Sequence, residues 1–269
     1  MELLFKAFIM GIVEGLTEFL PISSTGHLII VGDLINFTGN FATMFEIVIQ
    51  LGAILAVVYY FKNKIFSSLK NLRPGEWGFN LWYKIIIAVI PAAVIGVLTH
   101  HYIEKNLFSP FTVAIALIVG GIMMIIVENI FGKRYKINDM DKVNTVKSFW
   151  IGVAQVLSLF PGMSRSASTI MGGMVVGLSV KAAAEFSFFL AIPTMIAATG
   201  FELIKSITAI SLLEWEALAI GFIMSFITAL IVIDKFLDYL KKHALKPFAY
   251  YRIVFGILML FLISLQIVK

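Results

Sequence analysis

Glu14-Gly15-Leu16-Thr17-Glu18-Phe19-Leu20-Pro21-Ile22-Ser23-Ser24-Thr25-Gly26-His27 interrupts a stretch, residues 3–37, that is apolar at both ends. Two carboxylates, a proline and three consecutive hydroxyls are too polar for a helix facing lipid, and Pro21 withholds a backbone donor. Irregular backbone at membrane depth persists only when it is buried in protein or lines a wet cavity. Residues 3–37 are therefore expected to form a re-entrant helical hairpin that enters and leaves the membrane by one face. Glu14 and Glu18 also argue against a cleaved leader, whose central segment is apolar.

The composition around this stretch agrees with a membrane solvent. Of 269 residues, 60% are hydrophobic and 14% charged, against about 45–50% and about 25% in soluble domains. Six runs, at about 43–61, 83–101, 111–131, 183–204, 216–239 and 248–268, each reach the roughly 20 residues that a spanning helix needs. A second interrupted stretch, 148–178, breaks at Pro161-Gly162-Met163-Ser164-Arg165-Ser166 and is expected to form a second re-entrant hairpin. Leu20-Pro21 with Ser23-Ser24-Thr25 is echoed by Phe160-Pro161 with Ser164-Arg165-Ser166, and Phe45-Glu46 by Ala184-Glu185, at a nearly constant offset. The expected fold is thus an all-α polytopic membrane protein, one domain of six transmembrane helices and two re-entrant hairpins. Its halves, about 1–131 and 148–269, are joined by a cytoplasmic loop over 132–147. A unit of one hairpin and three spans makes an odd number of crossings, so the second copy must be inverted, with the polar tips meeting near the midplane.

The net charge of +5 does not point to nucleic acid, because the basic residues are scattered through connections instead of forming one stripe. With re-entrant hairpins that do not cross, the Lys and Arg side chains divide 16 to 4 between the two faces, with Arg252 counted on the rich face and only Arg165 left deep in the protein. The rich face is expected to be cytoplasmic. Cysteine is absent, which excludes disulfides and thiolate metal sites, so any metal must be held by carboxylate, imidazole or carbonyl groups.

Glu14 and Glu18, four residues apart, share a helix face directly before the break that presents Ser23, Ser24, Thr25 and His27. Ionisable groups in a membrane segment usually mark a functional cavity. The plainer reading, carboxylates solubilising a helix end near the interface, is weakened by the serines and histidine that follow at once. A lone histidine is often only a hydrogen-bonded core residue, and His27 gains weight from its neighbours. Arg165, flanked by Ser164, Ser166, Ser168 and Thr169, needs an anion. Its planar fork suits phosphate, although an internal ion pair to Glu14 or Glu18 would also satisfy it.

The string from Glu14 to His27 resembles the signature of the undecaprenyl-diphosphate phosphatase (bacitracin-resistance) family, and Pro161 to Ser166 resembles its second motif. Phe45-Glu46 through Gln50-Leu51-Gly52 and Glu185-Phe186-Ser187-Phe188 also fit, so the likeness runs essentially end to end. One departure is Ala167, where the family more often has glycine, which would reshape the second tip if that position needs a positive φ.

The resemblance implies a multi-pass protein of the bacterial cytoplasmic (inner) membrane. It would hydrolyse undecaprenyl diphosphate to undecaprenyl phosphate and inorganic phosphate at a site open to the outside, recycling the cell-wall lipid carrier and conferring bacitracin resistance. Glu14, Glu18, Ser24, His27 and Arg165 would be catalytic, with Ser24 or His27 as nucleophile or proton donor. Ser23, Thr25, Ser164, Arg165, Ser166 and Thr169 would bind the substrate, and Glu14 and Glu18 would act as base or hold a divalent cation, Mg²⁺ or Ca²⁺. The partners implied are the polyprenyl diphosphate and membrane lipid; a homodimer stays open. The rival class is a polyprenyl-phosphate transporter or flippase, since inverted repeats with broken helices are typical of transporters.

The charge division generates a topological prediction: tags at both termini are labelled from outside intact cells, whereas the 62–82 and 132–147 loops are protected. Cytoplasmic labelling of both termini would overturn the layout.

Overall fold

The computed structural model describes residues 1–206 and 210–268. Lys269, one of the four basic residues assigned to the poor face, lies outside the described residues. The chain folds into α1 (Glu2–Thr17), α2 (Ser24–Leu34), α3 (Asn40–Tyr60), α4 (Lys62–Lys70), α5 (Trp77–Asn106), α6 (Pro110–Phe131), α7 (Thr145–Gln155), α8 (Arg165–Val175), α9 (Val180–Ser206), α10 (Leu212–Tyr239) and α11 (Lys246–Ser264). Helices α3, α5, α6, α9, α10 and α11 are long and apolar enough to cross a membrane and coincide with the six runs read from sequence. The connection expected over 62–82 carries α4 and the first turn of α5.

Local chemistry sets several of these boundaries. Ser109 accepts the Thr112 N–H, and Pro110 follows at the first position of α6, where a missing donor costs nothing. Ser211 and Glu214 form a reciprocal capping box at the start of α10. The surface is apolar: Val97 (78% exposed), Leu98 (76%) and Val254 (66%) face outward. Polar groups lie inside, as where Ser225 Oγ on α10 donates to the Ile49 carbonyl on α3 at 2.7 Å. That inversion is what a hydrocarbon solvent selects.

Interhelical packing rests on small residues, as it must where lipid provides no hydrophobic drive between helices. A β-carbon at Gly11 would fall 2.5 Å from the Gly221 carbonyl oxygen, and one at Gly15 would fall 2.6 Å from that of Ser225. Both glycines bring α1 backbone-close to α10. In the second half, Gly152 does the same for α7 against Ala88 of α5. Each half's first helix therefore packs on a spanning helix of the other half.

Both interrupted stretches are broken helices. α1 ends at Thr17 and α2 begins at Ser24, after Ser23 at φ 71°. α7 and a short 3₁₀ turn end at Leu159, and α8 begins at Arg165, after Gly162 at φ 93° and Ser164 at φ 67°. Left-handed backbone is rare for a serine, and here it occurs at the corresponding hydroxyl of each break. Ala167 lies within α8, with its N–H bonded to Ser164 Oγ. That position requires no positive φ, so alanine there does not reshape the tip.

Candidate active site

Glu18, one residue beyond α1, is the centre of the constellation. Ser24 Oγ donates to its Oε2 at 2.7 Å, and Arg165 Nη2 donates to its Oε1 at 3.0 Å. Ser24 is the first residue of α2 and Arg165 the first of α8, so one carboxylate ties together the helix starts that follow the two breaks. All three side chains are nearly closed to solvent. Arg165 Nη1 donates to the carbonyl and the hydroxyl of Ser187 on α9, both at 3.2 Å, while its guanidinium lies 5.6 Å over the Phe19 ring. The ion pair weighed above is therefore present, and it does not use up the arginine: Nε has no hydrogen-bond partner among the described residues.

The hydroxyls expected to bind substrate divide into two groups. Ser166 Oγ donates to the Leu20 carbonyl at 2.9 Å and stitches the second break to the first. Ser164 Oγ, 3.0 Å from Ser166 Oγ, caps α8, and Thr169 Oγ1 lies 2.7 Å from Ser187 Oγ. These three are engaged in holding the tips. Ser23 and the half-buried Thr25 make no side-chain hydrogen bond among the described residues. Glu14 is fully buried, and neither carboxylate oxygen has a partner. Its charged neighbours are Glu18, Arg165 and Glu46 of α3, the last of which the sequence reading did not place at the site.

His27 is not brought into this cluster. Its Nδ1 contacts the Ser23 carbonyl at 2.7 Å, its Nε2 contacts the Tyr251 hydroxyl at 2.7 Å, and its ring stacks on Phe255 at 4.0 Å. A carbonyl can only accept, so Nδ1 carries the proton and, in the neutral ring, Nε2 accepts from Tyr251. Both ring nitrogens are thus occupied, Nδ1 by the first break and Nε2 by α11.

The principal correction concerns Arg252. Counted on the rich face although it falls within the 248–268 run, it is wholly buried, so Arg165 is not the only basic residue left deep in the protein. Its Nη1 donates to Met163 O at 3.0 Å and Pro21 O at 3.4 Å. Nη2 donates to Gly162 O at 3.0 Å and Ala116 O at 3.3 Å, and Nε to Leu117 O at 3.4 Å. Carbonyls from both breaks and from α6 converge on one guanidinium, including groups that the broken helices leave without helical partners. Gly120 makes the space, since a β-carbon there would collide with Nη2. The only local signal was the position of Arg252 inside an apolar run.

A family model described as bacitracin resistance protein BacA matches residues 7–258. A protein named undecaprenyl-diphosphatase from Caldanaerobacter subterraneus subsp. tengcongensis is 82% identical over 269 residues, covering 100% of this chain and 99% of that one. Proteins of the same name from Thermoanaerobacter sp. (strain X514) and Clostridium tetani are 77% and 50% identical, each over 100% of this chain and over 100% and 99% of their own lengths.

The carbonyl cage predicts that Arg252→Met, which keeps volume but removes every donor, lowers stability by on the order of 3 kcal/mol through orphaned buried acceptors. Arg252→Lys should recover only part of this, because an ammonium cannot reach five acceptors at once. Thermal unfolding in detergent checks both; an Arg252→Met protein as stable as wild type would remove the cage from the list of structural constraints.

Proposed function

This chain belongs to the bacitracin resistance protein BacA family, and we propose on that footing that it is an undecaprenyl-diphosphatase. It hydrolyses undecaprenyl diphosphate to undecaprenyl phosphate and inorganic phosphate, and so returns the lipid carrier to cell-wall synthesis. The observation that carries this reading is the Ser24–Glu18–Arg165 bridge, which sets a hydroxyl nucleophile, a carboxylate base and a planar phosphate clamp within one buried site.

In the mechanism we infer, the terminal phosphate displaces Glu18 from Arg165, whose free Nε already supplies one unmatched donor. Ser24 Oγ attacks the terminal phosphorus as its proton passes to Glu18. The bond to the bridging oxygen breaks and undecaprenyl phosphate leaves. Water then cleaves the phosphoserine, inorganic phosphate departs, and Glu18 returns the proton to Ser24. Phosphoryl transfer depends chiefly on positioning and charge neutralisation, and the two arginines supply both: Arg165 at the phosphate, Arg252 beneath the tips. The occupied nitrogens of His27 favour Ser24 as nucleophile and leave His27 to orient the Ser23 carbonyl.

Among the described residues, no three His, Cys, Asp or Glu side chains gather into a cage. The two unpartnered oxygens of buried Glu14 nevertheless suit a hard cation held by Glu14 and Glu18, with water and phosphate oxygens completing its shell. Such a Mg²⁺ or Ca²⁺ ion would neutralise charge on the diphosphate. We further read the two broken-helix pairs as re-entrant hairpins of an inverted repeat in the bacterial inner membrane, with the site open to the outside. Three pairs of residues 141 positions apart support the repeat: Gly11 and Gly152 in close helix packing, buried and unpartnered Glu14 and Gln155, and left-handed Ser23 and Ser164.

Phosphate release by detergent-solubilised protein separates hydrolysis from transport, which yields none. Ser24→Ala should lose at least about 10³-fold in rate. Arg165→Lys should be nearly as damaging as Arg165→Ala, each losing roughly 10²–10³-fold, because a bidentate contact is not reproduced by an ammonium group. A well-folded Arg165→Ala protein with near wild-type turnover would sink the clamp. Glu14→Gln should lower the rate and also blunt its dependence on added divalent cation; an unchanged cation response would remove Glu14 as a ligand.

A further inference from the structure

Where α6, α10 and α11 end or begin with α9 at one edge of the bundle, a cavity of about 960 Å³ is lined by Lys133, Arg134, Lys181, Lys241, Lys242 and Lys246, with Glu128 as its one carboxylate. None of these belongs to the catalytic cluster. Lys246 opens α11, six residues before Arg252, so the cavity lies roughly 9 Å along the helix axis from that level. Part of the charge is compensated: Lys181 lies 3.4 Å from Glu185, and Lys241 lies 2.9 Å from Asp238. Lys133, Arg134 and Lys242 are exposed and have no carboxylate partner among the described residues.

Topology alone would place scattered lysines on this face, but it would not build a concavity between helix ends. The one carboxylate of the wall forms no salt bridge with these three cations. Glu128 Oε1 accepts the Leu245 N–H at 3.0 Å, whereas its Oε2 is closed to solvent and has no partner. The cavity thus offers three unpaired cations at its mouth, while its carboxylate is held against the start of α11.

We propose that this cavity binds the headgroup of an anionic phospholipid, with its phosphate on Lys133, Arg134 and Lys242. Basic pockets between spanning helices at the headgroup level are suited to such lipids, and charge-assisted contacts from three side chains discriminate strongly against a zwitterion. The site is separate from the hydrolytic one and does not depend on its chemistry.

Native mass spectrometry in non-ionic detergent tests the proposal with dihexanoyl-phosphatidylglycerol, dihexanoyl-phosphatidylcholine and inorganic phosphate as probes, on wild type and on a Lys133→Gln/Arg134→Gln/Lys242→Gln variant. Phosphatidylglycerol should be retained about tenfold or more over phosphatidylcholine by wild type. The variant should lose that preference while its phosphate-release rate per folded protein is unchanged. Equal retention of the two lipids, or a preference that survives in the variant, would overturn the proposal. Inorganic phosphate displacing the lipid at equal concentration would assign the cavity to free phosphate instead.

Discussion

A single buried guanidinium holds the two broken helices in register. Breaking a helix inside a membrane releases carbonyls that neither lipid nor a continuing helix can satisfy, and here Pro21, Gly162 and Met163 direct theirs at Arg252. Its charge has no hydrogen-bonded carboxylate among the described residues and is met by peptide dipoles from three segments. This arrangement is self-consistent in a way that an ion pair would not be. The arginine needs several acceptors, the breaks need a donor, and removing either leaves the other unsatisfied in a low-dielectric interior. Gly120 belongs to the same constraint, because the cage exists only where α6 has no side chain.

With the tips held from below, their opposite sides can carry reactive groups. Glu18 is shared between Ser24 and Arg165, so the resting site is nearly neutral along that bridge while Glu14 remains an unmatched acceptor and Arg165 Nε an unmatched donor. Unmatched buried groups are costly. They flank the two breaks, each of which carries a serine in left-handed backbone. Ser166 on the Leu20 carbonyl ties the two tips to each other, and Thr169 and Arg165 on Ser187 tie the second tip to α9.

The exterior obeys a different rule. Lipid provides no drive for helices to associate, so the glycines of α1, α7 and α10 admit backbone contact where larger residues would hold the helices apart. α1 and α7 lead into the two breaks, and their close seats on α10 and α5 fix where the chain enters the segments that carry Glu18 and Arg165.

The sequence alone determined the class of solvent, the six spanning runs and the position of both breaks, and it put Glu14 and Glu18 on one helix face. Each depends on local composition or spacing: apolar length, a proline beside hydroxyls, carboxylates one helical turn apart. It could not separate His27 from Ser24, because residues three positions apart on one helix look like neighbours until Tyr251 and Phe255 of α11 engage the imidazole. Nor could it assign Arg252, whose place at the start of an apolar run is that of an ordinary interfacial charge. Only the convergence of two breaks and a glycine notch, distant in sequence, turned that charge inward, since the carbonyls that stabilise it come together only in the folded chain.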